Sequence, residues 1–373
     1  MIAATLSARR PWPVGLWLGR NRGPLIALAV FVALFMLVNA ITPGAFSYFE
    51  FSFMSSGGAT LALAAIGQTL VILSGGFDLS AGAVVSLINV VLGTQMQDTL
   101  GSQVAFGLAA LLIGAFIGAV NGFFVAYMRL QPIVVTLSTM FIVQGITLLI
   151  LDKPGGMIPA GFSSVFVGNV IDEVLPAPVL VIAVAALIWL AIKNSRLGVG
   201  IYAVGSDEDA ARAAGIPVRR VKFLTYVLSG VFYGAAGAFI SAQTGSADPL
   251  VGRPMLLQVF TAVVVGGTVL GGGRGGAIGS IIGAYTLMIV VNILLVLDVS
   301  AYYSSVAEGV ILVLAVLAAS LTRTSPIADY LRLAGLRLSA WRAGTLPSAH
   351  VRPHPAARPA PPAAAGRRLS HIK

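Results

Sequence analysis

The sequence predicts an all-α polytopic membrane protein with about ten transmembrane helices and an internal repeat. Of its 373 residues, 57% are hydrophobic and only 10% are charged, whereas a typical soluble domain carries about 25% charged residues. The mean hydropathy of +0.94 agrees with this difference. Apolar runs near the length of about 20 residues that crosses a bilayer as a helix recur along the chain. This composition excludes an ordinary soluble protein.

Ten apolar segments are predicted to be the transmembrane helices. The first, Pro24–Thr42, is longer than the apolar core of a cleaved signal sequence, which favours an uncleaved helix. The other predicted spans are 55–74, 80–97, 104–128, 132–151, 176–192, 221–243, 256–271, 277–297 and 303–321.

Basic residues predict the orientation. With both termini in the cytoplasm, only Lys153 and Arg253 of the 23 Lys and Arg residues fall in outer loops. This satisfies the rule that cytoplasmic loops carry the positive charge. We therefore expect three regions: a cytoplasmic segment 1–23, a transmembrane domain 24–321, and a cytoplasmic tail 322–373. The tail is basic and rich in Pro and Ala, a composition typical of disorder.

Several classes of site and partner are excluded by residue usage. The chain has no cysteine, and its three histidines lie in the last 24 residues. No metal site and no catalytic residues are therefore expected in the apolar body. The net charge of +10 comes from residues that flank spans, so we expect contact with membrane lipid and no nucleic-acid partner.

The inner loop 193–220 contains the pattern of a short helix. Ser206 is predicted to cap it, with Asp209 completing a capping box, and the helix is predicted to cover Asp207–Ala214. Glu208 and Arg212 stand four apart in the favourable order, and Gly215 is predicted to end the helix. Two turns are too short to persist alone in water. The small alanine surface favours docking to another protein over lying on the membrane, since no large apolar residue is available to insert.

A glycine-rich break, Gly75–Gly82, separates the second predicted span from the third. Asp78 and Ser80 lie in it, and Ser80 is predicted to cap the following helix. Two compatible interpretations stay open: a capped turn, and a lining of the solute route.

Uncharged polar residues and one acid lie inside the predicted spans. Such groups in lipid must face a partner or a water-filled path. They suit a neutral polar solute, with hydrogen bonding between helices as the alternative for each. They are Gln68, Asn89, Asn121, Gln144, Gln258, Asn292 and Glu308.

The internal repeat rests on two apolar–glycine–apolar segments, one from Thr69 and one from Val264. Inverted repeats are common in transporters and would place the two glycine breaks on opposite sides of the membrane. The predicted topology places both in the cytoplasm, so either this alignment or the assignment of the second and third spans must be wrong. Asn121 and Asn292 do fall near opposite faces.

Four motifs together resemble the ribose-type permeases of bacterial ABC importers. They are GGFDLSAG, NGFFVAYMRLQPIVVTLSTMFIVQG, YAVGSDEDAARAAGIPVRRVKFLTYVLSG and AVVVGGTVLGGGRGGAIGSIIGA, in that order within residues 50–320. The related branched-chain amino-acid permeases share the loop motif but not the first one. The sequence departs from the family pattern at Gln144, Asp207 and Glu308.

The resemblance implies a permease subunit of the inner membrane that translocates a monosaccharide or small polyol by alternating access. It implies a second permease chain, a sugar-binding protein outside, and a cytoplasmic ATPase. This chain would bind no cofactor and would not be an enzyme, because it contains no phosphate-binding loop and ATP would be used by the partner. The ATPase-coupling residues implied are Gly205, Ser206, Asp207, Glu208, Ala210, Ala211, Ala214 and Gly215. The solute route is assigned to Asp78, Ser80, Asn121, Gln144, Asn292 and Glu308.

Two alternatives stay open at this point. One is an ABC permease for another small solute, such as an amino acid. The other is a secondary transporter driven by an ion gradient, for which Asp78 and Glu308 are the available intramembrane acids.

Overall fold

The computed structural model describes residues 22–41, 47–298 and 302–320. Within these ranges the protein contains thirteen α-helices and one two-stranded antiparallel hairpin. The helices are α1 (Arg22–Ile41), α2 (Tyr48–Leu73), α3 (Ala81–Gln95), α4 (Leu100–Ala126), α5 (Pro132–Ile150), α6 (Ala160–Val167), α7 (Ala177–Asn194), α8 (Arg196–Ser206), α9 (Glu208–Ala213), α10 (Val218–Thr244), α11 (Met255–Val265), α12 (Ala277–Val296) and α13 (Tyr302–Ser320). The hairpin strands are β1 (Asn169–Ile171) and β2 (Leu175–Pro176).

The predicted all-α polytopic fold is confirmed, and each of the ten predicted spans coincides with a helix. Seven described helices are long and apolar enough to cross a membrane: α1, α2, α4, α5, α7, α10 and α12. At 1.5 Å per residue, α3 and α11 reach about 22 and about 16 Å, less than the roughly 30 Å of a bilayer core. The apolar part of α13, Val306–Leu317, is also short.

Helices α4 and α10 form the most extensive helix pair. Gly114 of α4 and Gly230 of α10 face each other so closely that a Cβ on either would collide with the other's carbonyl oxygen. In lipid, helices gain little from apolar contact alone, so small residues that permit such an approach stabilise the pair through van der Waals contact.

Helix α2 lies at the centre of the bundle. It packs against α10, α11 and α12 and is buried along most of its length. Aromatic side chains fill the core around it; Trp189, Tyr226, Tyr233 and Phe239 are almost completely buried. The outer faces of α4 and α5, by contrast, expose large apolar residues, as a lipid-facing surface requires. These include Leu112, Phe116, Phe141 and Leu149.

The loops contain more structure than the sequence predicts. The predicted inner loop 193–220 holds two helices, α8 and α9, rather than one. Ile201 and Val204 bury one face of α8, but its eleven residues are too few to be recognised as a transmembrane span. The predicted outer loop 152–175 holds α6 and most of the hairpin. The predicted head 1–23 falls mostly, and the tail 322–373 wholly, outside the described residues.

Candidate coupling loop and polar sites

Helix α9 begins one residue later and ends one residue earlier than predicted. Asp207 is its N-cap: the residue is extended, and its Oδ1 accepts a hydrogen bond from the Ala210 N–H at 2.9 Å. The predicted Ser206 cap is wrong, because Ser206 still belongs to α8 and its Oγ donates to the Tyr202 carbonyl oxygen. Gly215 ends the helix as predicted, with a φ of 81° that a glycine adopts without strain.

Helix α9 takes part in three ion pairs, two within the helix and one with α10. The predicted pair of Glu208 and Arg212 is formed at 2.8 Å, and Arg212 also contacts Asp209 at 3.4 Å. The other carboxylate oxygen of Glu208 binds Lys222, in the first turns of α10. The hydrogen bond from Lys222 lowers the pKa of Glu208 below its ordinary value of 4.5. A helix too short to persist alone is thus tied to the long helix α10.

The small-residue surface of α9 differs from the predicted one at one position. Ala210, Ala213, Ala214 and Gly215 are exposed. Ala211 is not part of this surface, because it is 5% exposed and packs into the main hydrophobic core. The helix therefore presents one smooth face outward and uses Ala211 to seat itself on the bundle.

Gly205 joins this loop to two other segments. A Cβ at Gly205 would collide with the Leu73 carbonyl oxygen at the end of α2 and come within 2.8 Å of the Gly273 nitrogen. The Gly273 N–H itself donates to the Leu73 carbonyl oxygen at 3.0 Å, and the Tyr202 hydroxyl donates to the Gly275 carbonyl oxygen at 2.7 Å. The end of α2, the glycine-rich loop 271–276 and the α8–α9 loop therefore meet at one point.

This meeting point corrects the predicted repeat alignment. The glycine break after α2 and the loop 271–276 lie on the same side of the bundle, so they are not partners in an inverted repeat. Asn121 lies near the end of α4 that adjoins the break, and Asn292 lies near the far end of α12. An inverted repeat with a different alignment stays a prediction.

Asp78, Ser80 and Asn121 come together in a buried polar cluster that Thr139 of α5 completes. Asp78 Oδ1 accepts from the Ser80 N–H at 2.9 Å and from Ser80 Oγ at 2.6 Å. Asn121 Nδ2 donates to Ser80 Oγ at 3.0 Å, and Asn121 Oδ1 accepts from Thr139 Oγ1 at 2.6 Å. The first three residues are at most 1% exposed. The cluster joins the break to α4 and α5.

Ser80 does not cap α3 as predicted. It stands at the N-cap position without a side-chain hydrogen bond to the helix, because its hydroxyl is committed to Asp78. Asp78 Oδ2 is buried without a hydrogen-bond partner among the described residues.

The predicted outer loop 244–255 runs back along α3. Asn89 Nδ2 donates to the Ser246 carbonyl oxygen at 3.0 Å, and its Oδ1 accepts from the Asp248 N–H at 2.7 Å. The Gly252 N–H then donates to Ser86 Oγ at 2.9 Å. Gly82 and Gly93 bring the backbone close at the two ends of this contact, which covers about 16 Å of α3.

Glu308 lies at a cavity of about 240 Å³ between α2, α10, α11, α12 and α13. Its carboxylate accepts a hydrogen bond from Gln258 Nε2 at 2.8 Å and is almost completely buried. Thr60 and Gln243 line the same cavity, with 3.5 Å between their side-chain oxygens. We call these four residues and their space the polar cavity.

The remaining predicted route residues lie elsewhere. Gln144 Nε2 donates to the Pro249 carbonyl oxygen at 2.9 Å and so supports the segment that runs along α3. Asn292 is half-buried and does not line the polar cavity, and its side chain makes no hydrogen bond with another described residue. Sequence analysis missed Thr60 and Gln243. Only their place inside or at the end of an apolar span could have drawn attention to them.

Comparison with known proteins decides the family. Residues 51–316 match the family described as branched-chain amino acid transport system / permease component. The chain belongs to this permease family. It is 36% identical to the ribose import permease of Escherichia coli (strain K12) over 323 residues, covering 85% of this chain and 98% of that protein.

Two further relatives cover similar lengths. A probable ABC transporter permease of Sinorhizobium fredii is 32% identical, over 78% of this chain and 88% of that protein. The D-allose transport system permease of Escherichia coli (strain K12) is 31% identical, over 84% and 96%. No solved structure matches the chain. The protein is thus a multi-pass permease subunit of an ABC importer, a class that works with an ATPase and a substrate-binding protein.

Proposed function

We propose that this chain carries a monosaccharide or a similar small polyol across the bacterial cytoplasmic membrane, driven by a separate ATPase that docks on α9. Relatives named for ribose and D-allose support the substrate class over an amino acid. The chain itself binds no cofactor in this proposal, and ATP is used by the partner.

The main support for the coupling proposal is the way in which α9 is attached to the bundle. Its exposed alanine face is free to contact a partner, while Ala211, the Asp207 cap and the ion pair of Glu208 with Lys222 fix it to the bundle. A partner that moved α9 would pull on α10 through Lys222. It would also shift the end of α2 and the loop 271–276, since both touch Gly205.

The attachment of α9 to the bundle is compatible with alternating access. A permease with two packings responds to ATP binding only if the ATPase binds one packing better than the other. Helix α10 packs against α2, α3 and α4, so a displacement at α9 reaches most of the bundle through one rigid element. The proposed orientation places α9 and both termini in the cytoplasm, with a sugar-binding protein delivering solute outside. A second permease chain completes the assembly in this proposal.

The polar cavity supports passage of a neutral polar solute. Its 240 Å³ exceeds the space of one water molecule about eight-fold. Hydroxyl, amide and carboxylate groups line it beside apolar side chains such as Leu61 and Met288. A sugar presents hydroxyls and an apolar ring face, so this mixture matches its chemistry.

Reconstitution of the chain with its ATPase and binding protein in liposomes tests the proposal. We expect ribose uptake that requires ATP and continues after ion gradients are collapsed. Replacement of an exposed alanine by a bulky residue, Ala214→Trp, is expected to abolish ATPase co-purification and uptake together. Val174→Trp, an exposed residue of the hairpin loop, is the matched control and should retain both.

Each unexpected result of the reconstitution experiment would contradict a different part of the proposal. Uptake that follows an ion gradient without ATP would contradict the importer mechanism and favour a secondary transporter. ATP-driven uptake of an amino acid and not of sugars would overturn only the substrate class. Normal ATPase recovery with Ala214→Trp would overturn only the docking role of α9.

A further inference from the structure

We propose that a basic pocket beside α9 binds the headgroup of an anionic phospholipid. The pocket has a volume of about 900 Å³ and lies between the α4–α5 connection and the start of α10. Five basic side chains line it with a single carboxylate, Glu208. The five are Arg129, Arg212, Arg219, Arg220 and Lys222.

Of these five cations, Arg212 and Lys222 form an ion pair with another described residue and the other three do not. Glu208 is shared by Arg212 and Lys222. The side chains of Arg129, Arg219 and Arg220 form neither a hydrogen bond nor an ion pair with another described residue, and all three residues are exposed. Three unpaired guanidinium groups around one pocket repel one another, and an anion bound between them would relieve that repulsion.

The first turn of α10 carries charge of the unfavourable sign. Helix N-termini favour acidic residues, because the backbone N–H groups there make the end positive. Helix α10 has no acidic residue in its first turn and no side-chain cap, and it places Arg219 and Arg220 there instead. This arrangement disfavours the bare helix and favours a bound anion.

The backbone conformation at Arg129 is also unfavourable for a residue with a side chain. Its φ of 58° lies in the left-handed region, where a glycine would avoid the steric conflict of a side chain. The chain retains a guanidinium at this turn, at the mouth of the pocket.

The surface next to the pocket identifies the anion as a lipid rather than a soluble phosphate or an acidic protein. Near the C-terminal end of α4, the side chains of Phe123, Phe124 and Met128 are exposed. Tyr127 lines the pocket and lies 5.9 Å from Phe123 and 5.7 Å from Phe223, ring centre to ring centre. Acyl chains would cover this aromatic surface while the phosphodiester occupied the pocket. Basic pockets between helices on the cytoplasmic side bind lipid headgroups in this manner.

Native mass spectrometry of the full chain in neutral detergent provides the test. The protein is titrated with phosphatidylglycerol and, separately, with phosphatidylcholine of the same acyl chains. We expect tighter binding of phosphatidylglycerol. Each cation near a membrane surface contributes about five-fold in affinity, so Arg219→Gln with Arg220→Gln should weaken phosphatidylglycerol binding roughly 25-fold and leave phosphatidylcholine unchanged.

Two control variants separate the pocket from overall charge and from folding. Lys193→Gln with Arg196→Gln removes two exposed cations outside the pocket and should change phosphatidylglycerol binding by no more than about two-fold. Arg219→Lys with Arg220→Lys keeps the charge and should keep most of the preference.

Four results would overturn the proposal. They are undiminished phosphatidylglycerol binding in the Arg219 and Arg220 glutamine variant, an equal loss in the Lys193 and Arg196 variant, and equally tight binding of soluble glycerol 3-phosphate. The fourth is a glutamine variant that loses its ATPase while retaining the lipid, which would assign the pocket to the partner protein.

Discussion

The buried polar cluster and the polar cavity use similar residues for different ends. In the cluster, Asp78, Ser80 and Asn121 bond one another with almost no exposed surface. In the cavity, Glu308 and Gln258 bond each other beside 240 Å³ of open volume. The space beside a polar residue within a span, and not its chemical type, therefore distinguishes the cluster from the cavity in which we propose that solute passes.

This difference predicts that loss of Asn121 destabilises the fold most. Asn121→Ala removes both hydrogen bonds that join Ser80 to Thr139, so the half-buried Thr139 hydroxyl loses its acceptor on Asn121 and the buried Ser80 hydroxyl keeps only Asp78. The free energy of unfolding is expected to fall by about 1–3 kcal/mol. Thermal unfolding in detergent measures this effect.

Asn292→Ala is the matched control for that variant. The Asn292 side chain makes no hydrogen bond with another described residue, so its removal is expected to change stability by less than about 0.5 kcal/mol. Equal destabilisation by the two variants would contradict the distinction drawn for Asn121.

The polar cavity predicts a change in transport instead of stability. Gln258→Ala removes a donor to Glu308 and a hydrogen-bonding group from the cavity wall. In the proposed route, loss of one hydrogen bond between Gln258 and the solute corresponds to a rise of about fivefold in the apparent KM for sugar uptake. Uptake kinetics in liposomes give this value, with ATPase association unchanged.

Gln95→Ala serves as the comparison, since Gln95 is an exposed glutamine at the end of α3, away from the cavity. It should leave KM unaltered. A normal KM with Gln258→Ala would show that the solute does not pass this cavity.

The smallest predicted effect on stability comes from the partly exposed ion pair between Glu208 and Lys222. Because Lys222 lowers the pKa of Glu208 below 4.5, the pair stabilises the folded protein above that pH. This contribution disappears as the pH falls through the lowered pKa. Lys222→Met should reduce Tm at neutral pH by about 1–2 °C, since a partly exposed pair contributes little.

The difference in Tm between wild type and Lys222→Met should vanish once the pH is below the lowered pKa of Glu208. Lys193→Met, at an exposed lysine without an ion pair to another described residue, should show no such pH dependence. A constant Tm difference across pH would mean that packing of the Lys222 side chain, and not its charge, anchors α9.

Sequence reasoning located the spans because apolar length is a local property. It located α9 but placed its cap at Ser206, because Ser206 and Asp207 are both good caps and only the packing of α8 decides which residue becomes extended. It missed the polar cavity because Thr60 and Gln243 are 183 residues apart. The return of segment 245–254 along α3 was also hidden, since its hydrogen bonds come from Ser86 and Asn89 on a distant helix.

Labelling of a single cysteine on α9 tests the coupling role most directly. The chain has no cysteine, so Ala214→Cys adds one reactive thiol to the exposed face, and Val174→Cys adds one to the hairpin loop as a control. We predict that a membrane-impermeant maleimide labels Ala214→Cys only from the cytoplasmic side and that the bound ATPase subunit blocks this labelling. The control should react only from the outside, with or without the ATPase. Labelling of Ala214→Cys that the ATPase does not reduce, or that occurs from outside, would contradict the assignment of α9 as the coupling helix.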